Sequence, residues 1–81
     1  MILDSSHASH VRWLTDRVAQ LLDTQPADID VDRPLTELGI SSLQAVELAG
    51  DLETRLGRPV KPTIVYDHPS ITELAHFAAS T

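Results

Sequence analysis

The β-branched run Pro62-Thr63-Ile64-Val65-Tyr66 is the one stretch of this chain with the composition of a strand, and nothing elsewhere in the sequence offers it a partner. A lone strand leaves its backbone N–H and C=O groups unmatched. Of a short strand and a brief helix with Pro62 in its first turn, the helix is the favoured reading. The rest of the chain must fold as helices and loops.

Apolar spacing supplies the helices. Val11, Leu14, Val18, Leu21 and Leu22 share one stripe at about 100° per residue, which predicts a helix over 9–22 with Arg12, Asp16 and Gln20 outward. Trp13 lies off that stripe, and partial burial against a loop suits it. From Asp23 to Gly39 the period disappears. A structureless crossover of that length needs pins, and Ile29, Val31, Leu35 and Leu38 are the candidates. Pro34 is placed to open one helical turn through Leu38, which Gly39 then ends. A second helix runs from Ser41-Ser42 to about Leu56, with Gly57 as its stop and Ala45, Leu48, Ala49, Leu52 and Leu56 on its buried face. Leu43 and Val46 flank that face. Ser70 and Glu73 form a capping box that opens a last helix, with Ile71, Leu74, Ala75 and Ala78 inward. The expected fold is all-α: a small bundle of three main helices and one short helix, with a long first crossover loop. Residues 1–8 are expected to be a flexible segment, 9–79 the folded domain and 80–81 a short tail.

Size and charge narrow the function. An 81-residue chain with no cysteine has neither a disulfide framework nor a thiolate metal site, and its thin core leaves little room for a catalytic pocket. Such a chain suits a reducing, cytoplasmic setting. Twelve acids against six bases have the wrong sign for nucleic acid, and no apolar stretch is long enough for a membrane span or a signal peptide. Basic protein surfaces are the partners such acidity favours. His7, His10 and Asp4 lack a second cluster to complete a metal site, so no metal is expected. Ser42, Asp67 and His68 do not make a hydrolytic triad either. Adjacent Asp and His side chains diverge, and no nucleophile elbow is present.

Two motifs carry the functional reading: Leu38-Gly39-Ile40-Ser41-Ser42-Leu43-Gln44-Ala45-Val46-Glu47-Leu48, and Pro62-Thr63-Ile64-Val65-Tyr66-Asp67-His68-Pro69-Ser70. Together they resemble the acyl carrier protein family, most closely the carrier domains of modular type I polyketide synthases. The family pattern is L-G-x-D-S-L-x-A-V-E-L followed by P-T-x-x-[FY]-D-x-P-[ST], and the resemblance spans residues 10–79. It implies that Ser42, directly before Leu43, bears a covalent 4'-phosphopantetheine arm taken from coenzyme A. A hydroxyl in the first turn of a helix stands at the positive end of the macrodipole, which suits a phosphodiester. Where the family usually has aspartate, this chain has Ser41. Serine is a near-equal N-cap, and Ser41 with Gln44 keeps the capping box, but a negative charge is lost beside the acceptor, and Ser41 becomes a minor rival for the modification.

The resemblance further implies a carrier rather than an enzyme, a monomer that presents acyl intermediates to other proteins. Its expected partners are a phosphopantetheinyl transferase, an acyltransferase, a ketosynthase and other polyketide synthase enzymes. Glu47 and Asp51 resemble the acidic face that carriers offer to partner arginines and lysines, with Leu43 and Val46 as the apolar part of the patch. Asp51 has a competing role as the intrahelical partner of Arg55, and Arg55, Arg58 and Lys61 complement the helix's C-terminal dipole. Leu43 and Val46 have partial core burial as their alternative. A peptidyl carrier more often shows G-G-x-S before the helix, and Ile40 stands in place of the second glycine. The remaining alternatives are a fatty-acid carrier and a small helical interaction domain without a covalent cofactor. The chain's ends suit either a free-standing carrier or a domain of a larger synthase, and the cargo is set by partner enzymes.

Overall fold

The computed structural model describes residues 5–80, which form five α-helices, one 3-10 turn and no strand. The helices are α1 (Ser5–Leu22), α2 (Leu35–Leu38), α3 (Ser42–Leu56), α4 (Ile64–Asp67) and α5 (Ile71–Ala79), and the 3-10 turn covers Pro26–Asp28. Three long helices thus form the bundle. The single turn after Pro34 is α2, and the β-branched run becomes α4. That run is helical as expected, but Pro62 is not in its first turn. Pro62 and Thr63 form a preceding turn, closed by the Ile64 N–H on the Lys61 carbonyl at 3.0 Å.

The buried faces follow the apolar period closely. Ile71, Leu74, Ala75 and Ala78 of α5 are all buried, as are Ala45, Leu48, Ala49 and Leu52 of α3, whereas Leu56, expected on the same face, is only partly buried at the helix's end. On α1, Leu14 and Val18 are completely buried while Val11, Leu21 and Leu22 pack at the margin. Ala19 joins the core at 2% exposure, a position whose small side chain contributes little to any sequence pattern. α1 packs chiefly against α5.

The long crossover is held by side chains and backbone together. Leu35 is fully buried, and Ile29, Val31 and Leu38 pack half-buried against the core. The Leu35 N–H donates to the Pro69 carbonyl at 2.9 Å, and the Thr72 N–H to the Val31 carbonyl at 3.0 Å. Thr72 Oγ1 adds a bond to the Asp32 carboxylate at 2.8 Å. The loop is therefore stitched to the start of α5, which explains how so long a connection stays ordered.

α1 begins at Ser5, four residues before the expected start, so residues 5–8 of the expected flexible segment are helical. Residues 1–4 and 81, Asp4 among them, lie outside the described residues. Polar partners hold this end where no apolar stripe does. Arg55 of α3 donates from Nε to His10 Nδ1 at 3.1 Å and from Nη2 to Ser9 Oγ at 2.9 Å. Its guanidinium also lies over the Trp13 ring, 5.1 Å from the centroid, so Trp13 is covered by an α3 side chain instead of a loop. His7 meets His76 of α5 edge-on at 5.7 Å.

Burial, and then the nearby Arg55 and His7, hold His10 below the ordinary histidine value of 6.5. The neutral ring is what accepts from Arg55. Between the lowered folded value and the unfolded one, the unfolded chain binds the extra proton, so this contribution is present above the unfolded value and is lost as pH falls through the folded one. The thermal midpoint is expected to drop more between about pH 7.5 and about pH 5.5 in the wild type than in His10→Asn, which keeps an acceptor without titrating. Equal drops in the two proteins refute the assignment.

Candidate functional site

The segment between α2 and α3 is built to present a helix start. Gly39 closes α2 with φ 111°, a left-handed conformation that side chains disfavour, and its N–H returns to the Leu35 and Thr36 carbonyls. Ile40 then turns inward to 5% exposure and donates its N–H to the Leu35 carbonyl at 3.1 Å. Ser41 is the N-cap of α3. Its Oγ accepts from the Gln44 N–H at 3.1 Å, and Gln44 Oε1 accepts from the Ser41 N–H at 3.0 Å, completing the expected capping box. Gln44 Nε2 also donates to the Leu21 carbonyl at 2.8 Å, tying the head of α3 to the end of α1. No sequence pattern announces that last bond.

Ser42 is the first helical residue of α3 and is exposed, and its hydroxyl has no hydrogen-bond partner among the described residues. The two neighbouring serines thus differ in state: Ser41 Oγ is engaged as the cap, whereas Ser42 Oγ is free. The unpaired N–H groups of the first turn favour negative charge at this point. Leu43 and Val46, one helical turn apart, are 72% and 49% exposed, so neither serves the core. Tyr66 of α4 is the other large apolar side chain left open among the described residues, at 53%, and no sequence pattern marks it for this surface.

The two acidic candidates part company. Glu47 is exposed and has no ion pair among the described residues. Asp51 does not pair with Arg55. It receives Arg17 Nε of α1 at 2.5 Å, and Arg17 reaches Gln20 as well. Arg55 is drawn away to His10, Ser9 and Trp13, and Arg58 to the Phe77 ring, so tertiary partners replace both the intrahelical pair and the simple dipole role expected of them. The His68 and Phe77 rings meet at a tilt of 38°, with 5.0 Å between centroids.

Among the described residues no helix is long and apolar enough to cross a membrane, and no group of three or more acidic or histidine side chains could hold a metal ion.

Comparison with known proteins agrees with this geometry. A family profile described as the phosphopantetheine attachment site matches residues 12–78. A phenolphthiocerol/phthiocerol polyketide synthase protein of Mycobacterium tuberculosis is 38% identical over 76 residues, covering 94% of this chain. This chain spans only 4% of that protein's length. Among solved structures, a free-standing peptidyl carrier protein from Acinetobacter baumannii superposes with a TM-score of 0.89 at 31% identity, covering 93% of this chain and 94% of that one. An acyl carrier protein from Anabaena with a variant phosphopantetheinylation-site sequence gives a TM-score of 0.84 at 33% identity, covering 96% and 89%. A helix headed by an exposed serine, in a bundle shared with these carriers and over a stretch matched almost end to end, places the chain in the phosphopantetheine-attachment family of carrier domains.

Proposed function

We propose that Ser42 is the residue that takes the 4'-phosphopantetheine arm, and that the domain thereby carries acyl intermediates of polyketide synthesis between enzymes. The observation that carries this reading is the free, exposed Ser42 hydroxyl beside a Ser41 hydroxyl already committed to capping. In the attachment step Ser42 Oγ forms a bond to phosphorus of coenzyme A, the adenosine bisphosphate part leaves, and the hydroxyl proton passes to the transferase. The capping box keeps α3 wound to its first residue, so the positive end of the helix would stand beside a phosphodiester on Ser42. When bound, the arm supplies a thiol that holds an acyl group as a thioester. Intact mass after incubation with coenzyme A and a phosphopantetheinyl transferase tests the assignment.

Among carriers, the polyketide reading is supported by the 38% identity to the mycobacterial synthase and by Ile40. At 5% exposure Ile40 fills the core, at the position where a peptidyl carrier more often has glycine.

Partner enzymes, acyltransferase and ketosynthase among them, dock on the α3 face beside Ser42. Leu43 and Val46 form its apolar part and Glu47 its free carboxylate, whereas Asp51 contributes less because Arg17 already neutralises it. Glu47→Ala is expected to lower kcat/KM for acyl transfer with a cognate partner by about fivefold, the size of an exposed charge contact, with the fold intact. An unchanged rate removes Glu47 from the docking surface.

A further inference from the structure

Beyond α3, Gly57 turns the chain in a left-handed conformation, φ 69°, into Arg58-Pro59-Val60-Lys61. Glu53 Oε1 accepts the Val60 N–H at 2.9 Å, which fixes this loop and commits the Glu53 carboxylate to the backbone. Arg58 lies back over α5 with its guanidinium 4.8 Å from the Phe77 centroid. Arg58, Val60, Lys61, Asp67, His68 and Phe77 are among the walls of a cavity of about 300 Å³.

Arg58 lines this cavity, and its Nε and Nη2 are buried without a hydrogen-bond partner among the described residues. Buried charged donors without an acceptor are costly, and native structures seldom leave them so. The two atoms together form the edge of the guanidinium that grips a carboxylate with two parallel bonds. Phe77 holds the plane of that fork from below. Lys61, exposed and without an ion pair among the described residues, adds a second positive charge at the wall.

We propose that this cavity is a carboxylate-binding site that receives an aspartate or glutamate side chain of an acidic polypeptide segment. Arg58 takes both carboxylate oxygens and Lys61 supports them. A carboxylate fits better than a phosphate because Asp67 also lines the cavity and repels a dianion more strongly than a monoanion. The apolar walls of Pro59, Val60 and Ile64 suit the short aliphatic stem behind such a group. Both nitrogens are out of reach of water in this conformation, so entry requires a side-chain shift, for which the long stems of Arg58 and Lys61 give the freedom. The site lies at the C-terminal end of α3, about 20 Å along the helix from Ser42, and is independent of arm attachment.

The test uses the chain without its arm, labelled with nitrogen-15, and follows the Arg58 Nε–Hε resonance. The ligands are acetate, a blocked Gly-Glu-Gly peptide and inorganic phosphate, with sodium chloride at matched ionic strength as reference. Saturable shifts with acetate and the peptide, half-complete at roughly millimolar concentration, are expected. Arg58→Lys should weaken binding, read from backbone shifts around the cavity, by about tenfold, because an ammonium cannot present the fork. Lys61→Gln should weaken it by about threefold. Equal shifts with chloride, undiminished binding in Arg58→Lys, or tighter binding of phosphate than of acetate each overturn the proposal. If Arg58→Lys does not fold, Lys61→Gln decides, and unchanged affinity there overturns it.

Discussion

Ser42→Ala is expected to abolish the mass gain of one arm on incubation with coenzyme A and a phosphopantetheinyl transferase, while Ser41→Ala retains it. The loss should be complete, because of the two serines only Ser42 has a hydroxyl that is both exposed and unoccupied. The fold should not confuse the result. Ser42 is the first residue inside α3 and makes no side-chain bond among the described residues, and alanine is an excellent helix former there. Ser41→Ala, in contrast, removes an N-cap and is expected to cost about 1 kcal/mol of stability, readable as a lower thermal midpoint. The two variants therefore separate along two axes: one loses modification and keeps stability, the other loses stability and keeps modification. A mass gain in Ser42→Ala, or its loss in folded Ser41→Ala, overturns the assignment of the arm to Ser42.

Leu52→Ala is expected to bring the bundle close to unfolding. Leu52 is completely buried in the middle of α3 and belongs to the same core cluster as Leu14, Leu48 and Leu74. Truncating such a leucine costs about 2–5 kcal/mol, the lost transfer energy plus the cavity left behind. A domain of this size holds about 4–12 kcal/mol in all. Urea unfolding followed by circular dichroism should show a strongly lowered midpoint with an unchanged slope. A change below about 1 kcal/mol shows that neighbouring side chains collapse into the space and that the core is looser than its burial implies.

How much of this could be read from the chain depended on which force shaped each part. The inner faces of α3 and α5 were legible except at Leu56, which is only partly buried, since burial of leucine, isoleucine and alanine leaves a period that survives in the sequence. The capping boxes at Ser41 and Ser70 were legible too, because they are local: donor and acceptor lie three residues apart, and in the structure Ser70 Oγ accepts from the Glu73 N–H at 3.2 Å. What escaped was long-range and polar. Nothing near Ser9 or His10 reveals that Arg55, some 45 residues away, will hold the first turns of α1. Asp51 looked like the partner of Arg55 because the spacing of four residues is the only relation a sequence displays, whereas Arg17 was the partner that folding supplied. At the candidate site, the serine and its exposed neighbours could be named in advance. The difference between the engaged Ser41 hydroxyl and the free Ser42 hydroxyl appears only in three dimensions.

The bond from Gln44 Nε2 to the Leu21 carbonyl has a mechanical consequence. It acts as a strut across the corner where two helices meet, so the head of α3 inherits the position of α1 instead of fraying as helix starts commonly do. Anything hung from Ser42 then swings from a stationary pivot. The volume searched by its free end is set by its own length, and wobble of the mount adds little to it. Local concentration at a neighbouring active site falls steeply as that volume grows. On the proposed role of Ser42, a steady mount would keep that volume close to the reach of the arm alone.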